Sequence, residues 1–186
     1  MSHLPLLSCS YYLQPQETFV EGDAASHLTL FDTGPDSLSL VRNIRALQTP
    51  VERIERVIIS HWHSDHSGGL LSFLSLRKAR LEASSAVGAV CTVDLHPNRP
   101  ELRGIAPGPT YDTTICALPF DPSFEEIEEL GAVVDKHAEG HSVSGDTVWV
   151  SGEIPRITEY EKGLVGSMRW VTDDSGVGKW IADLVS

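Results

Sequence analysis

Polar and apolar positions change their period several times along this chain, and each change marks an element. Residues His27 to Phe31 alternate and then meet Asp32-Thr33-Gly34-Pro35. Alternation ending in turn residues predicts a strand closed by a tight turn. Leu40, Val41, Ile44 and Leu47 then recur at helical spacing around Arg42, Asn43 and Arg45, and Pro50 closes that helix. Val57-Ile58-Ile59 is short, apolar and β-branched, as a buried strand should be. A His-rich segment follows at once and so falls on the loop at that strand's C-terminal end. Gly68-Gly69 ends the loop, and Leu70 to Ala79 reads as a helix.

The second half is less regular. Val87 to Leu95 predicts a strand ending at His96-Pro97, and the five prolines between Asn98 and Pro122 suggest a long loop or lid. Ser123-Phe124-Glu125-Glu126 is a capping-box signature for a helix running to Gly131, with Glu125, Glu126, Glu128 and Glu129 on its solvated face. Ala132 to Lys136 and Thr147 to Val150 read as strands around a turn at Ser144-Gly145-Asp146. In the tail, a short strand around Met168 to Val171 and a helix from Val177 to Val185 are expected. Strands that alternate with helices and then give way to hairpins indicate a layered α/β fold. The 186 residues suit one domain over residues 1–186.

Charge narrows the partners. The formal net charge is −12 and basic residues are scattered. Nucleic acid and anionic membranes both require a basic surface, so neither is expected as a partner, whereas a small-molecule substrate is. An anionic substrate stays open, because a bound dication reverses the local field. Cys9, Cys91 and Cys116 are odd in number and lie far apart, which speaks for free thiols and a reducing, cytoplasmic compartment. There is no apolar run of about 18 residues and no visible secretory signal.

The chemistry concentrates in His61-Trp62-His63-Ser64-Asp65-His66, where four metal-binding side chains fall within six residues. At this chain's own His and Asp frequencies the pattern would arise by chance in about one chain per thousand of this length, so a ligand-bearing loop is the stronger reading. Two histidines one residue apart on an extended loop point the same way and can share an ion. Asp65 and His66, past a bend, can face a second. Imidazole suits zinc, and a carboxylate admits iron or manganese. Two divalent ions so held would activate water for hydrolysis or a related transfer.

H-x-H-x-D-H after a short apolar strand resembles the signature of the metallo-β-lactamase superfamily, and Asp32-Thr33-Gly34 is similar to that superfamily's D-T-G turn. Leu30-Phe31-Asp32-Thr33-Gly34-Pro35, Ser60-His61 with Gly68-Gly69-Leu70, His96-Pro97, and Gly152-Glu153-Ile154-Pro155-Arg156 followed by Glu159 look like its dihydropterin-synthase-like branch. The resemblance implies a four-layer αββα sandwich and a dinuclear site. His61 and His63 would hold one metal, and Asp65 and His66 the other. Asp65 would also be catalytic by orienting the metal-held water, and Asp32 would support the metal loop from behind. The implied activity is hydrolysis of an ester, lactone or phosphate ester. The alternatives are a metal-dependent transferase acting on a phosphate-bearing pterin-like substrate, and a catalytically weak fragment or pseudoenzyme with a partial metal site.

The chain also departs from the pattern. The superfamily draws further ligands from its second half, yet no histidine follows His141. This leads to the expectation that only the N-terminal part of the sandwich is complete, from a C-terminally truncated product. An exposed inner sheet face would then favour a homodimer, low solubility or a longer native chain. His141 reads as a surface histidine more readily than as the third ligand, and His137 as a solvated strand end. His96, Glu153 and Arg156 are candidate substrate contacts, although Glu153 and Arg156 could form an ordinary surface pair. Asp32 could instead cap the following helix. Trp62 is either loop packing or a wall of the substrate pocket.

Overall fold

The computed structural model describes residues 14–19, 26–84 and 88–183. In chain order the elements are β1 (Gln14–Phe19), β2 (Ser26–Phe31), α1 (Ser37–Leu47), β3 (Ile54–Ile58), α2 (Ser64–Ser67), α3 (Leu70–Ser84), β4 (Cys91–Leu95) and β5 (Leu102–Ile105). They continue with β6 (Cys116–Ala117), α4 (Phe124–Glu129), β7 (Ala132–Lys136), β8 (His141–Val143), β9 (Val148–Val150), β10 (Ser167–Thr172) and β11 (Gly178–Ala182). The first sheet has the order β1-β2-β3-β4-β7, with β2, β3, β4 and β7 parallel and β1 antiparallel at the edge. A second, antiparallel sheet has the order β11-β10-β5-β6, and β8 and β9 form a separate hairpin.

Alternation along the parallel strands sorts the first sheet into two unlike faces. Leu28 and Leu30, Val57, Cys91, Val93 and Leu95, and Ala132 join the buried side chains of α1, α3 and α4 in one apolar core. Phe73 and Leu70 of α3, Ile44 of α1 and Ile127 of α4 are fully enclosed there. Truncating such a residue to alanine typically costs about 2–5 kcal/mol. The register of β2 on β3 skips Glu55, since Leu28 pairs with Ile54 and Thr29 with Arg56. That bulge puts both Ile54 and Val57 in the core and turns Arg56 to the opposite face. The opposite face is charged: Arg56 Nη1 reaches Asp94 at 2.8 Å and Asp135 at 3.1 Å. The β8–β9 hairpin covers part of it, through a Thr29–Ser144 hydroxyl contact of 2.7 Å and a His141–Asp94 contact of 2.8 Å.

Local signals account for most boundaries. Asp36 caps α1, accepting the Leu38 and Ser39 N–H groups at 2.7 and 2.8 Å, so Asp32 is not the cap. Both halves of the Ser123–Glu126 capping box form, and Gly131 follows at φ +83°. α3 runs on to Ser84, past the Ala79 expected from its pattern, and the metal loop contains the single helical turn α2.

Two expectations fail. The proline-rich stretch is not structureless: β5 and β6 lie within it and build the second sheet, with the prolines outside both strands. The segment from Val177 is strand, not helix. Asp173 folds a turn by accepting the Ser175 and Val177 N–H groups at 2.9 and 3.0 Å, Gly176 takes φ +81°, and Thr172 pairs with Gly178. Trp180 then stacks edge-on against Trp170 at 5.4 Å, a cross-strand pair a helix would lose. The end of that expected helix, residue 87 and Cys9 lie outside the described residues, as does much of the N-terminal region read as lacking a signal.

A helical layer and two sheets of the expected sandwich are therefore present. Among the described residues, those of the second sheet take no part in the apolar core shared by the first sheet and α1, α3 and α4. None of the described helices is long and apolar enough to cross a membrane.

Candidate metal centre

The four parallel strands end side by side, and the chain leaves the sheet there without breaking a ladder, so polar side chains can gather. Asp32 follows β2, Ser60 and His61 follow β3, His96 follows β4, and His137 follows β7. The metal loop is strapped to the Asp32 turn. Thr33 donates its N–H and its hydroxyl to the His66 carbonyl at 2.7 and 2.9 Å, and Gly69 N–H donates to Gly34 O at 3.1 Å. The two segments are so close that a Cβ on Gly68 would strike the Pro35 carbonyl, and one on Gly69 the Thr33 carbonyl. This contact is why the motif closes on two glycines.

Hydrogen-bond partners assign the imidazole hydrogens. The Asp32 carboxylate accepts the Ser60 N–H at 2.8 Å, the Ser60 hydroxyl at 2.9 Å and His66 Nδ1–H at 2.7 Å. With its own hydrogen on Asp32, the Ser60 oxygen is left to accept His61 Nδ1–H at 3.1 Å. Both histidines thus keep a lone pair on Nε2. His61 Nε2 faces His63 Nδ1 at 3.1 Å. Two nitrogens at tetrahedral zinc distances would stand roughly 3.3 Å apart, so this pair suits one ion. Burial, reinforced by the neighbouring His66 and His63, pulls the His61 pKa down to about 4, which leaves the ring unprotonated and ready to ligate at neutral pH.

Asp65, at the start of α2, completes a group in which one atom each of His61, His63 and Asp65 lie within 4.8 Å of one another. His66 stands beside it, with Nε2 3.4 Å from Asp65 and its ring 4.0 Å from that of His61. The donor set is two imidazoles and a carboxylate, the chemistry of a catalytic zinc, iron or manganese site. One atom of this centre lacks a hydrogen-bond partner: His63 Nε2 is buried without one, and a carboxylate oxygen of Asp183 stands 3.7 Å from it.

His61 also borders a cavity of about 710 Å³, within the range of small-molecule sites. The cavity joins the metal loop to the three candidate substrate contacts, since His96, Glu153 and Arg156 all line it. The Asn98 N–H donates to His96 Nδ1 at 3.1 Å, so the ring hydrogen sits on Nε2, 3.5 Å from the Glu153 carboxylate. Phe31, Leu95 and Trp149 supply apolar wall. Trp62 is packed into the loop and also reaches the cavity wall. It is buried, donates Nε1–H to His96 O at 2.9 Å and packs edge-on against Phe124, yet it also lines the cavity.

His141 stands apart from the metal group, but neither is it a surface histidine. Its Nε2 meets Asp94 at 2.8 Å, its Nδ1 meets the Glu139 carbonyl at 3.1 Å, and its ring stacks on His137 at 3.7 Å. Acceptors at both nitrogens favour the protonated ring. Burial opposes this, but the Asp94 and Glu139 bonds outweigh it, and the pKa is raised. His137 is tied to Asp135 at 2.8 Å instead of standing free in solvent. The reading from sequence also missed Ser60 as the acceptor behind His61, and Asp183. Ser60 had one signal, its place immediately before the motif; Asp183 had none beyond ending an alternating run.

Comparison with known proteins bears on the same segments. The family model for the metallo-beta-lactamase superfamily matches residues 18–158. Solved structures with a similar fold include the Rm3 metallo-beta-lactamase, 18% identical, with a TM-score of 0.43 over 83% of this chain and 50% of that one. A Cronobacter sakazakii metallo-beta-lactamase with a HARLDQ motif is 20% identical, with a TM-score of 0.40 over 94% of this chain and 57% of that one. MIM-1 from Novosphingobium pentaromativorans is 16% identical, with a TM-score of 0.37 over 83% and 50%. The chain spans about half the length of these structures. Comparison with curated proteins gave no match. The family model covers most of the chain, from β1 past β9 and through the whole His61–His66 motif, and the chain belongs to the metallo-beta-lactamase superfamily.

Proposed function

We propose that this chain is a metal-dependent hydrolase of the dihydropterin-synthase-like branch, acting on an ester, lactone or phosphate ester. The observation that carries the reading is the position of His61, which belongs to the metal-capable group and also borders the cavity holding His96, Glu153 and Arg156. His61 and His63 would hold one divalent ion, Asp65 and His66 a second, and zinc suits these donors. When bound, such ions supply Lewis acidity and make water a nucleophile near neutral pH. Asp65, whose side chain is about half exposed, would orient that water. The His96 Nε2–H donates to a substrate oxygen, Glu153 sets the far limit of that contact, and Arg156 takes negative charge on the substrate. Asp32 and Ser60 hold the ligand rings.

Metal content of purified wild type and of a His61→Ala/His63→Ala double variant tests the site, and turnover of generic phosphodiester, lactone and thioester substrates tests the activity. Metal in wild type alone, with turnover abolished by Asp65→Ala, is expected. Equal metal in both proteins would sink the assignment. A second reading, metal binding with little turnover, is favoured by the donor count: among the described residues the group has three members, few for two ions. Metal without product would select it.

A further inference from the structure

The three imidazoles of the loop follow one rule with a gap in it. His66 places its outer Nδ1–H on Asp32, and His61 places its outer Nδ1–H on Ser60, so each presents Nε2 inward. His63 is reversed. Its Nδ1 is the inward nitrogen, 3.1 Å from His61 Nε2, so its outer nitrogen is Nε2. That atom is buried and has no hydrogen-bond partner. A buried N–H left unpaired costs about 1–3 kcal/mol, so a partner is called for.

The carboxylate placed to answer is Asp183, with its side chain only 3% exposed and Oδ2 3.7 Å from His63 Nε2. It reaches the loop from the second sheet, one residue past β11. Its N–H donates to Ser167 O at 2.9 Å, which locks it to the start of β10. β10 is in turn registered on β5, Met168 opposite Gly104. The other acid near His63, Asp121, is gripped by the Arg103 guanidinium, Nε at 2.8 Å with Nη2 alongside, in a pair buried on both sides. Asp121 thus binds Arg103 through both carboxylate oxygens, and the carboxylate that distance pairs with His63 is that of Asp183.

We propose that Asp183 is a positioning residue of the metal site: its carboxylate, 3.7 Å from His63 Nε2, favours the hydrogen on that nitrogen electrostatically and so keeps the Nδ1 lone pair turned toward the ion. The inference rests on the metal-binding reading above. It gives the β10–β11 hairpin a role in the centre and supplies the metal loop with a contact from the second sheet. With the hydrogens of His61 and His63 both on their outer nitrogens, two lone pairs face each other across 3.1 Å, an arrangement that a bound cation relieves.

Two measurements on the full chain test this, using wild type, Asp183→Asn and the near-isosteric Asp183→Leu. In metal-free protein with 15N-labelled histidine, long-range proton–nitrogen spectra should show His63 as the Nε2–H tautomer in wild type and shifted toward Nδ1–H in the leucine variant. Zinc affinity by chelator competition should fall about 10–100-fold in the leucine variant and less in the asparagine variant, which keeps a weaker acceptor. If the leucine variant does not fold, the asparagine variant carries both readouts. A wild-type His63 with its hydrogen on Nδ1 would overturn the proposal, as would unchanged tautomer and affinity in a folded variant. A cobalt spectrum showing loss of a ligand in Asp183→Asn would also overturn it, by making Asp183 a direct ligand. Wild type that binds no zinc would defeat the metal-binding reading, while the tautomer measurement would still decide the role of Asp183.

Discussion

Asp32→Asn should separate the support of the metal loop from its folding. Asp32 accepts three hydrogen bonds, two from Ser60 and one from His66 Nδ1–H, and sits at φ +56°. Asparagine tolerates the left-handed conformation, whereas alanine there would add strain of roughly 1–2 kcal/mol unrelated to the metal. The asparagine oxygen can still take the Ser60 N–H, but an amide nitrogen in place of Oδ2 accepts neither the Ser60 hydroxyl hydrogen nor the His66 hydrogen. The hydroxyl can turn to another acceptor, whereas the charge-assisted His66 bond, worth about 1.5–3 kcal/mol, is lost. If that loss falls on the ring's metal-ready tautomer, it corresponds to roughly 10–150-fold in affinity at 1.4 kcal/mol per factor of ten. This matches the roughly 10–100-fold typical of supporting carboxylates. Zinc affinity by chelator competition, set beside the melting temperature of the metal-free protein, gives both quantities. A large affinity loss with a small stability loss is expected. Unchanged affinity with a clearly lower melting temperature would refute the reasoning and make Asp32 a purely structural residue.

Two further outcomes follow from the fold. The raised pKa of His141 means that its bond to Asp94 stabilises fully below about pH 6.5 and is lost as pH rises through the folded value. Arg56, Asp135 and His137 face the same pair, so the comparison is with His141→Gln, and the difference in urea midpoint between the two proteins should shrink from pH 6 to pH 9. A constant difference would show that His141 is not the titrating group. Gly69→Ala drives a Cβ into the Thr33 carbonyl and should cost about 1–3 kcal/mol by urea unfolding while lowering zinc affinity; an unaltered zinc affinity would mean that the strap does not set the metal loop.

The features legible in the sequence were those whose cause is local. The His61–His66 motif declares itself because four ligating types crowd into six positions, and the Ser123–Glu126 box because both of its bonds close within one turn. The bulge at Glu55, the Arg56–Asp94–Asp135 network and the His141 contact depend on which strands are neighbours. No window of sequence carries that information. The β5 and β6 strands are hidden because prolines signal loop, although here all of them lie outside both strands. Val177 to Val185 reads as helix because a few apolar residues in a short span fit either period. That mistake also concealed Asp183, whose significance rests on a hairpin register and on a histidine 120 residues earlier in the chain.

The strap between the Asp32 turn and the metal loop bears on how the site comes apart. Thr33 and Gly69 bind across the gap in both directions, and each loop is the direct continuation of one of two paired strands. Neither loop can swing out while the other stays. Local opening must break the Thr33–His66, Gly69–Gly34 and Asp32–Ser60 bonds together, so the two segments form one cooperative unit with a shared opening free energy. Amides from Thr33 to Gly69 that take part in the strap should exchange at a common rate, and a protease should find either both loops or neither.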